Sequence, residues 1–235
     1  MIAGRIAVVM LLVGASAHAA TVYDLADDWS DVANPNGPWA LRNSPTTLFA
    51  TNLPDYYGNG SNQNAWADEV AGAPRHVPFW MKRDADGIIE MHGAEIDRTG
   101  TDFTSAVWTS PEAGIAQIDG AAWSTWVSHR AMQWQIRLNG GVLTQGDIVA
   151  DGTYDQGNPF YFADGSGGPG ALIQTVAPGD ELELAIISLS QSGNLGDSVA
   201  LGFSITLVPE PTSLVLLALG LLTVGLAARR RCASR

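Results

Sequence analysis

Tryptophan side chains are the groups in this chain with the clearest capacity to bind a ligand, because an indole ring stacks on the apolar face of a sugar ring. The 235-residue sequence contains eight of them. Five lie in loop-like segments and are candidates for a glycan-binding surface: Trp29, Trp39, Trp66, Trp123 and Trp126. Three lie inside strand patterns, where we expect core packing: Trp80, Trp108 and Trp134. For the five loop tryptophans, packing of a loop against the sheets is the alternative role.

A glycine-rich interval carries oxygen ligands that suit a divalent cation. Asp151, Asp155 and Asn158 are spaced along it, with glycines between them and no nearby lysine or arginine to balance the charge. Carboxylate and amide oxygens are ligands that Ca²⁺ prefers, so these residues are a candidate calcium site, although no cofactor is required. Solvated acidic turns are the alternative, because Asp and Asn also favour turns for backbone reasons.

The sequence lacks the motifs of common hydrolases. A glycoside hydrolase needs two carboxyl groups that flank the scissile bond, and Glu95-Ile96-Asp97 begins such a pattern without the second glutamate. Glu181 and Glu183 share one strand face beside a turn, where solvated strand ends are the simpler interpretation. There is no HExxH spacing and no G-x-S-x-G elbow. We therefore predict no enzymatic activity, and a glycoside hydrolase is the least favoured alternative.

The N-terminus has the three parts of a secretory signal peptide. A short positive region ends at Arg5, an apolar run follows, and Ala17 and Ala19 occupy the two positions that signal peptidase inspects. This pattern predicts a signal peptide over residues 1–19 with cleavage before Ala20. An uncleaved N-terminal anchor is the alternative.

The C-terminus combines a short motif, an apolar run and a basic end. Residues 212–228 carry no charge, and as a helix they would extend about 26 Å, near the thickness of a bilayer core. Arginines beside a span stay in the cytoplasm, so the chain before the span lies outside. The motif is Pro209, Glu210 and Pro211, and the orientation signal is Arg229, Arg230 and Arg231.

These parts in this order resemble the PEP-CTERM protein-sorting signal of Gram-negative bacteria. The resemblance implies that an exosortase, a membrane cysteine transpeptidase, cleaves near the motif after transient anchoring in the inner membrane. It also implies delivery to the cell surface or the extracellular space. A plain C-terminal anchor that is never cut is the alternative.

Charge and cysteine content limit the partners of the segment between the two ends. Residues 20–208 carry seven Lys and Arg against twenty-three Asp and Glu, a net charge of −16, which repels a phosphate backbone and excludes nucleic acid as a partner. The only cysteine, Cys232, lies beyond the arginines, so this segment has no disulfide.

Short strand patterns separated by glycine-marked turns predict an all-β fold. Met132 to Leu138 shows the clearest alternation of apolar and polar residues, and Asn139-Gly140 then supplies a hairpin turn. A further strand is predicted over residues 46–51. We predict a two-sheet antiparallel β-sandwich, jelly-roll-like, over residues 20–208. The strand-turn segments 138–142 and 176–184 are similar to those of carbohydrate-binding jelly-roll modules.

Together these patterns predict three segments: a signal peptide (1–19), an exported β-sandwich (20–208) and a sorting and anchor segment (209–235, with the span at 212–228). The exported domain is predicted to be a non-catalytic surface or extracellular-matrix protein that binds polysaccharide. A purely structural surface component is the main alternative.

Overall fold

The computed structural model describes residues 19–57, 60, 63–67, 78–93, 103–125, 130–149, 152–189 and 198–210. These ranges contain fourteen strands and two short 3-10 turns, at Phe162–Asp164 and Pro169–Leu172. In chain order the strands are β1 (Thr21–Asp24), β2 (Trp39–Arg42), β3 (Asn52–Leu53), β4 (Ala65–Ala67), β5 (Phe79–Lys82), β6 (Ile89–His92), β7 (Phe103–Thr109), β8 (Gly114–Ser124), β9 (Met132–Leu138), β10 (Gly141–Ile148), β11 (Phe160–Tyr161), β12 (Ile173–Val176), β13 (Glu181–Ser188) and β14 (Ser198–Pro209).

The strands form two sheets, as predicted. The larger sheet has nine strands along the path β11–β8–β14–β6–β5–β4–β3, with β1 paired to β14 and β12 paired to β8. The smaller sheet has five strands in the order β10–β9–β13–β7–β2. The pairs β1–β14 and β6–β14 of the larger sheet and β9–β10, β9–β13 and β2–β7 of the smaller sheet are all antiparallel. The prediction of a two-sheet antiparallel sandwich is therefore confirmed.

The core between the sheets follows from the alternation of the strands. In β9, Met132, Trp134 and Ile136 are buried in the main apolar cluster, while Gln133 and Arg137 are part-exposed on the opposite face. In an extended chain successive side chains point to opposite faces, so an apolar–polar alternation assigns one face to the core. The same rule places Leu182, Leu184 and Ile186 of β13 in the core.

A second, smaller apolar cluster lies on the other face of the nine-stranded sheet. Phe79 and Met81 belong to it, whereas Trp80 between them belongs to the main core. Tyr56 packs on Phe79 with ring centroids 4.7 Å apart, so the segment after β3 covers this part of the sheet.

One strand prediction is wrong, and the predictions for the two ends of the chain lie largely outside the described residues. The strand expected over residues 46–51 does not form, and Leu48 makes only an isolated bridge with Arg42. Ala20–Val208 forms a compact unit. In the described ranges, no helix is long and apolar enough to cross a membrane. The predicted span at 212–228 and all of the predicted signal peptide except Ala19 lie outside the described residues.

Candidate functional site

The three tryptophans expected in the core are there. Trp80, Trp108 and Trp134 are all fully buried. The Trp80 indole also donates a hydrogen bond of 2.8 Å to Thr104 Oγ1. These three residues are therefore structural.

Two of the five candidate glycan-binding tryptophans are buried as well. Trp39 begins β2 and is 3% exposed, and Trp66 lies in β4 and is 5% exposed. Their indole N–H groups donate to Asp28 Oδ2 at 3.0 Å and to the Ser30 carbonyl at 2.8 Å. The expectation that these two lie on exposed loops is wrong, because each lies in a short strand that faces the core.

The segment around Trp29 forms a small cavity rather than a ligand pocket. Trp29, Trp39 and Trp66 all line this cavity, so the fold does bring three of the five candidates together. Its volume of about 20 Å³ is enough for roughly one water molecule and far too small for a sugar ring. A sugar ring therefore does not fit inside this cavity.

The remaining candidates do not complete an exposed aromatic strip. Trp29 is half-buried and donates to Asp31 Oδ1 at 2.9 Å. Trp123 is half-buried near the end of β8. Trp126 lies outside the described residues. A role in glycan binding stays a prediction for these three residues.

In the candidate calcium loop, the side chains of Asp155 and Asn158 form hydrogen bonds with the backbone of the same loop. Asp155 Oδ1 accepts hydrogen bonds from the backbone N–H groups of Gly157 at 2.8 Å and Asn158 at 2.9 Å. Asn158 Nδ2 donates to the Thr153 carbonyl at 2.8 Å. Asp151 is outside the described residues, and among those described no three His, Cys, Asp or Glu side chains come together as a metal site. Calcium binding here stays a prediction, and the turn chemistry accounts for Asp155 and Asn158 without it.

The outer face of the five-stranded sheet carries a network of polar side chains. We call it the polar face, and its members are Arg42, Gln133, Gln135, Arg137, Gln145, Asp147, Glu181 and Glu183. Strand register brings them together: Gln135 pairs with Gln145 of β10, and Arg137 pairs with Glu183 of β13. Gln133 pairs with Asp147 in the next row.

Arg137 is central to the polar face. Its Nε and Nη2 atoms both donate to Gln135 Oε1, at 2.9 and 2.6 Å. Its Nη1 lies 3.7 Å from Glu183 Oε2, and its Cζ lies 4.2 Å from the ring centroid of Phe103. The guanidinium is thus held by a carboxylate, an amide and an aromatic ring.

The amide side chains extend this network towards the sheet edge. Gln135 Nε2 donates to Gln133 Oε1 at 2.6 Å and to Gln145 Oε1 at 3.1 Å. Gln133 Nε2 in turn donates to Asp147 Oδ1 at 2.9 Å. Gln135 is only 8% exposed, whereas Gln145 and Asp147 are more accessible, so the outer members are the ones that a ligand would meet.

A second ion pair closes the other side of the polar face. Arg42 donates to both oxygens of Glu181, at 2.6 and 3.0 Å, and this hydrogen bonding raises the pKa of the guanidinium above its ordinary value. The interpretation of Glu181 and Glu183 as solvated strand ends is wrong for Glu183, which is 7% exposed. Since each carboxylate is paired with an arginine, the two serve as parts of the network.

One buried carboxylate lies apart from the polar face. Glu90 of β6 is 6% exposed, with Oε2 3.5 Å from Arg83 Nη1 and Oε1 accepting from Thr125 Oγ1 at 3.5 Å. Burial raises the pKa of Glu90 above its ordinary value, and these polar neighbours act in the opposite direction.

The sequence pattern contained part of the polar face. Alternation in β9 placed Gln133, Gln135 and Arg137 on one face, and alternation in β13 placed Glu181 and Glu183 on one face. No local pattern indicated that these two strands are neighbours. Arg42 was not predicted as part of this face. It lies in the four-residue strand β2, which follows a turn-rich segment and shows no clear strand pattern.

The C-terminal segment of the chain matches a known sorting motif. Residues 207–231 match the PEP-CTERM protein-sorting motif. The matched range includes Pro209, Glu210, Pro211 and the three arginines 229–231, of which only Pro209 and Glu210 are described in the structure. No curated protein sequence matches the chain.

One similar solved structure is titled as the native structure of a family 35 carbohydrate binding module from Clostridium thermocellum. The match has 8% sequence identity and a TM-score of 0.32, and covers 80% of this chain and 98% of that chain.

The sorting motif indicates a protein that Gram-negative bacteria export and sort to the cell surface, with processing by exosortase.

Proposed function

We propose that this exported surface protein is a non-catalytic module that binds a neutral extracellular polysaccharide on the polar face. The observation that carries the proposal is the continuous array of amide, carboxylate and guanidinium groups from Arg137 through Gln135 and Gln133 to Asp147. Sugar hydroxyls both donate and accept hydrogen bonds, so a row of mixed donors and acceptors matches a chain of hydroxyls.

Charge favours a neutral ligand. Residues 20–208 carry a net charge of −16, and an acidic polysaccharide would be repelled at low ionic strength. Both arginines of the polar face are already paired with glutamates, so they do not form a free anion site.

The delivery route is the second part of the proposal. The span at 212–228 holds the precursor transiently in the inner membrane, with Arg229, Arg230 and Arg231 on the cytoplasmic side. Exosortase then releases the β-sandwich to the surface or its polysaccharide matrix.

A structural surface component is the alternative that one observation favours. The network is largely satisfied internally, and Gln135 and Glu183 are nearly fully buried. In that case the polar face only stabilises the five-stranded sheet.

The test is affinity electrophoresis of the mature protein in gels that contain neutral glucans, mannans or xylans, with alginate as the acidic control. We expect retardation by a neutral polymer and about a tenfold loss of affinity in Gln145→Ala/Asp147→Ala, which corresponds to roughly 1.4 kcal/mol.

The matched control is Gln117→Ala/Asp119→Ala, because the same two residue types occupy exposed positions at the same spacing on β8 of the other sheet. It should bind like the wild type. No retardation by any neutral polymer, or an equal loss in both variants, contradicts the proposal and leaves the structural role.

A further inference from the structure

Asn139 is followed by glycine in an exposed turn, and Asn-Gly is the pair in which an asparagine side chain loses ammonia most readily. The reason is that glycine has no side chain to hinder the approach of its backbone nitrogen to the asparagine amide carbon. Asn139 and Gly140 form the two-residue turn between β9 and β10, with φ angles of +49° and +82°. The chemistry of this turn therefore depends on what holds the Asn139 side chain.

The Asn139 side chain is held at both of its polar atoms. Nδ2 donates to Asp180 Oδ1 at 3.0 Å, and Oδ1 accepts from the backbone N–H of Glu181 at 2.9 Å. The backbone N–H of Asn139 also donates to the Glu181 carbonyl at 2.9 Å. These three bonds tie the turn between β9 and β10 to the turn that precedes β13.

Asp180 is itself fixed in its turn. Its Oδ2 accepts from the backbone N–H of Ala177 at 2.7 Å, and its own N–H donates to the Ala177 carbonyl at 3.1 Å. The hydrogen bonds from Ala177 and Asn139 lower the pKa of Asp180 below its ordinary value, so this carboxylate is charged at neutral pH. A charged acceptor forms a stronger hydrogen bond than a neutral one, so Asp180 restrains the Asn139 amide.

We propose that Asn139 is a deamidation site of the mature protein and that Asp180 controls how fast it reacts. In this reaction the backbone nitrogen of Gly140 loses a proton and attacks Cγ of Asn139. The bond from Cγ to Nδ2 breaks, and the nitrogen takes up a proton and leaves as ammonia. Water then opens the resulting succinimide to aspartate or isoaspartate, so the reaction needs no oxidant, enzyme or cofactor.

Asp180 slows this reaction in two ways. Its hydrogen bond with Nδ2 holds the Asn139 amide in one orientation, so Cγ meets the Gly140 nitrogen only when the bond opens. Its negative charge also opposes removal of the proton from the Gly140 nitrogen, because a second anion then forms close by.

The product of the reaction disrupts the contact that delays it. The new carboxylate no longer donates to Asp180, and the two negative charges repel each other. Isoaspartate also adds one atom to the backbone of the turn, whose register pairs Leu138 with Gly141. Deamidation therefore loosens the β9–β10 hairpin, which carries Gln135 and Asp147 of the polar face.

Incubation of the mature protein near neutral pH, followed by digestion and mass spectrometry, measures the reaction as conversion of the amide to an acid at Asn139. Asp180→Ala should react about tenfold faster than the wild type, because loss of one charged hydrogen bond increases the opened population by roughly that factor. Asp180→Asn keeps an acceptor without the charge, so its rate should lie between the two.

Asn36-Gly37 is the control within the same digest, because its Nδ2 donates to the Asp28 carbonyl at 2.8 Å instead. Its rate should be the same in all three proteins, whereas general unfolding of a variant would speed both sites. Equal rates at Asn139 in the wild type and both variants overturn the proposal, and so does the same acceleration at both sites. Failure of glycan binding leaves these rates unaffected, because no polysaccharide is present.

Discussion

Glu90 is a buried carboxyl group whose ionisation should affect the stability of the sandwich. Burial raises its pKa, so the folded state binds the proton more tightly than the unfolded chain does. The stabilising contribution of the protonated group is then present below the unfolded pKa of about 4.3, and it is lost as the pH rises through the folded pKa. At neutral pH the charged carboxylate therefore opposes folding.

The prediction is that Glu90→Gln raises the melting temperature at pH 7 to 8 and that this gain shrinks towards pH 4. Thermal melts of both proteins across this range measure it. Asp119→Asn removes one charge from an exposed position and serves as the control, so its gain in melting temperature at pH 7 to 8 should be smaller than that of Glu90→Gln. A gap between Glu90→Gln and the wild type that stays constant over pH 4 to 8 contradicts this account.

The tryptophans show what residue types alone can and cannot predict. Trp80 and Trp134 lie in alternating strand patterns, and their burial follows from the pattern. Trp39 and Trp66 lie in strands of four and three residues whose neighbours are turn formers, so no local period marks them. Their burial depends on tertiary contacts between the segment 28–41 and the larger sheet, which the local sequence does not specify.

At the scale of elements, the pairing of β8 with β14 depends on a glycine. A Cβ atom on Gly120 would lie 2.1 Å from the carbonyl oxygen of Gly202, and the φ angle of Gly120 is +146°. Both the clash and the backbone angle exclude a larger residue there. The two strands can approach this closely only because Gly120 has no side chain.

We predict that Gly120→Ala lowers the free energy of unfolding by roughly 3 kcal/mol, from overpacking and backbone strain together. Urea denaturation of the mature protein measures the loss. The partner glycine supplies the control: a Cβ on Gly202 meets nothing within 4 Å, so Gly202→Ala should change stability by less than about 0.5 kcal/mol. Equal stability of the two variants would contradict the close approach.

Strand prediction succeeded where alternation is long and failed where it is short. The pattern from Met132 to Leu138 matches β9, and the hairpin turn at Asn139-Gly140 joins β9 to β10 as expected. The stretch 46–51 has β-branched and aromatic residues but finds only one bridging partner, at Arg42. Propensity indicates that a segment can extend, whereas pairing requires a neighbour that the local sequence does not specify.

At the scale of the whole molecule, the net negative charge affects the stability of the folded domain. The net charge of −16 on residues 20–208 produces self-repulsion that weakens the compact state. Arg42 pairs with Glu181 and Arg83 pairs with Asp86, but over residues 20–208 the acidic groups outnumber the basic groups by sixteen. Stability should therefore depend on ionic strength.

The last prediction is that the melting temperature of the mature protein rises as NaCl increases from about 10 mM to about 150 mM, where the Debye length shortens from roughly 30 to 8 Å. CaCl₂ at matched ionic strength tests the predicted calcium site as well. A site at Asp151, Asp155 and Asn158 adds a rise at low CaCl₂ that NaCl does not reproduce, that chelation reverses and that Asp155→Ala removes. Asp164→Ala, in the same acidic interval, is the matched control and should keep that calcium response. A melting temperature that is flat or falls with NaCl would show that self-repulsion does not limit the stability of this domain.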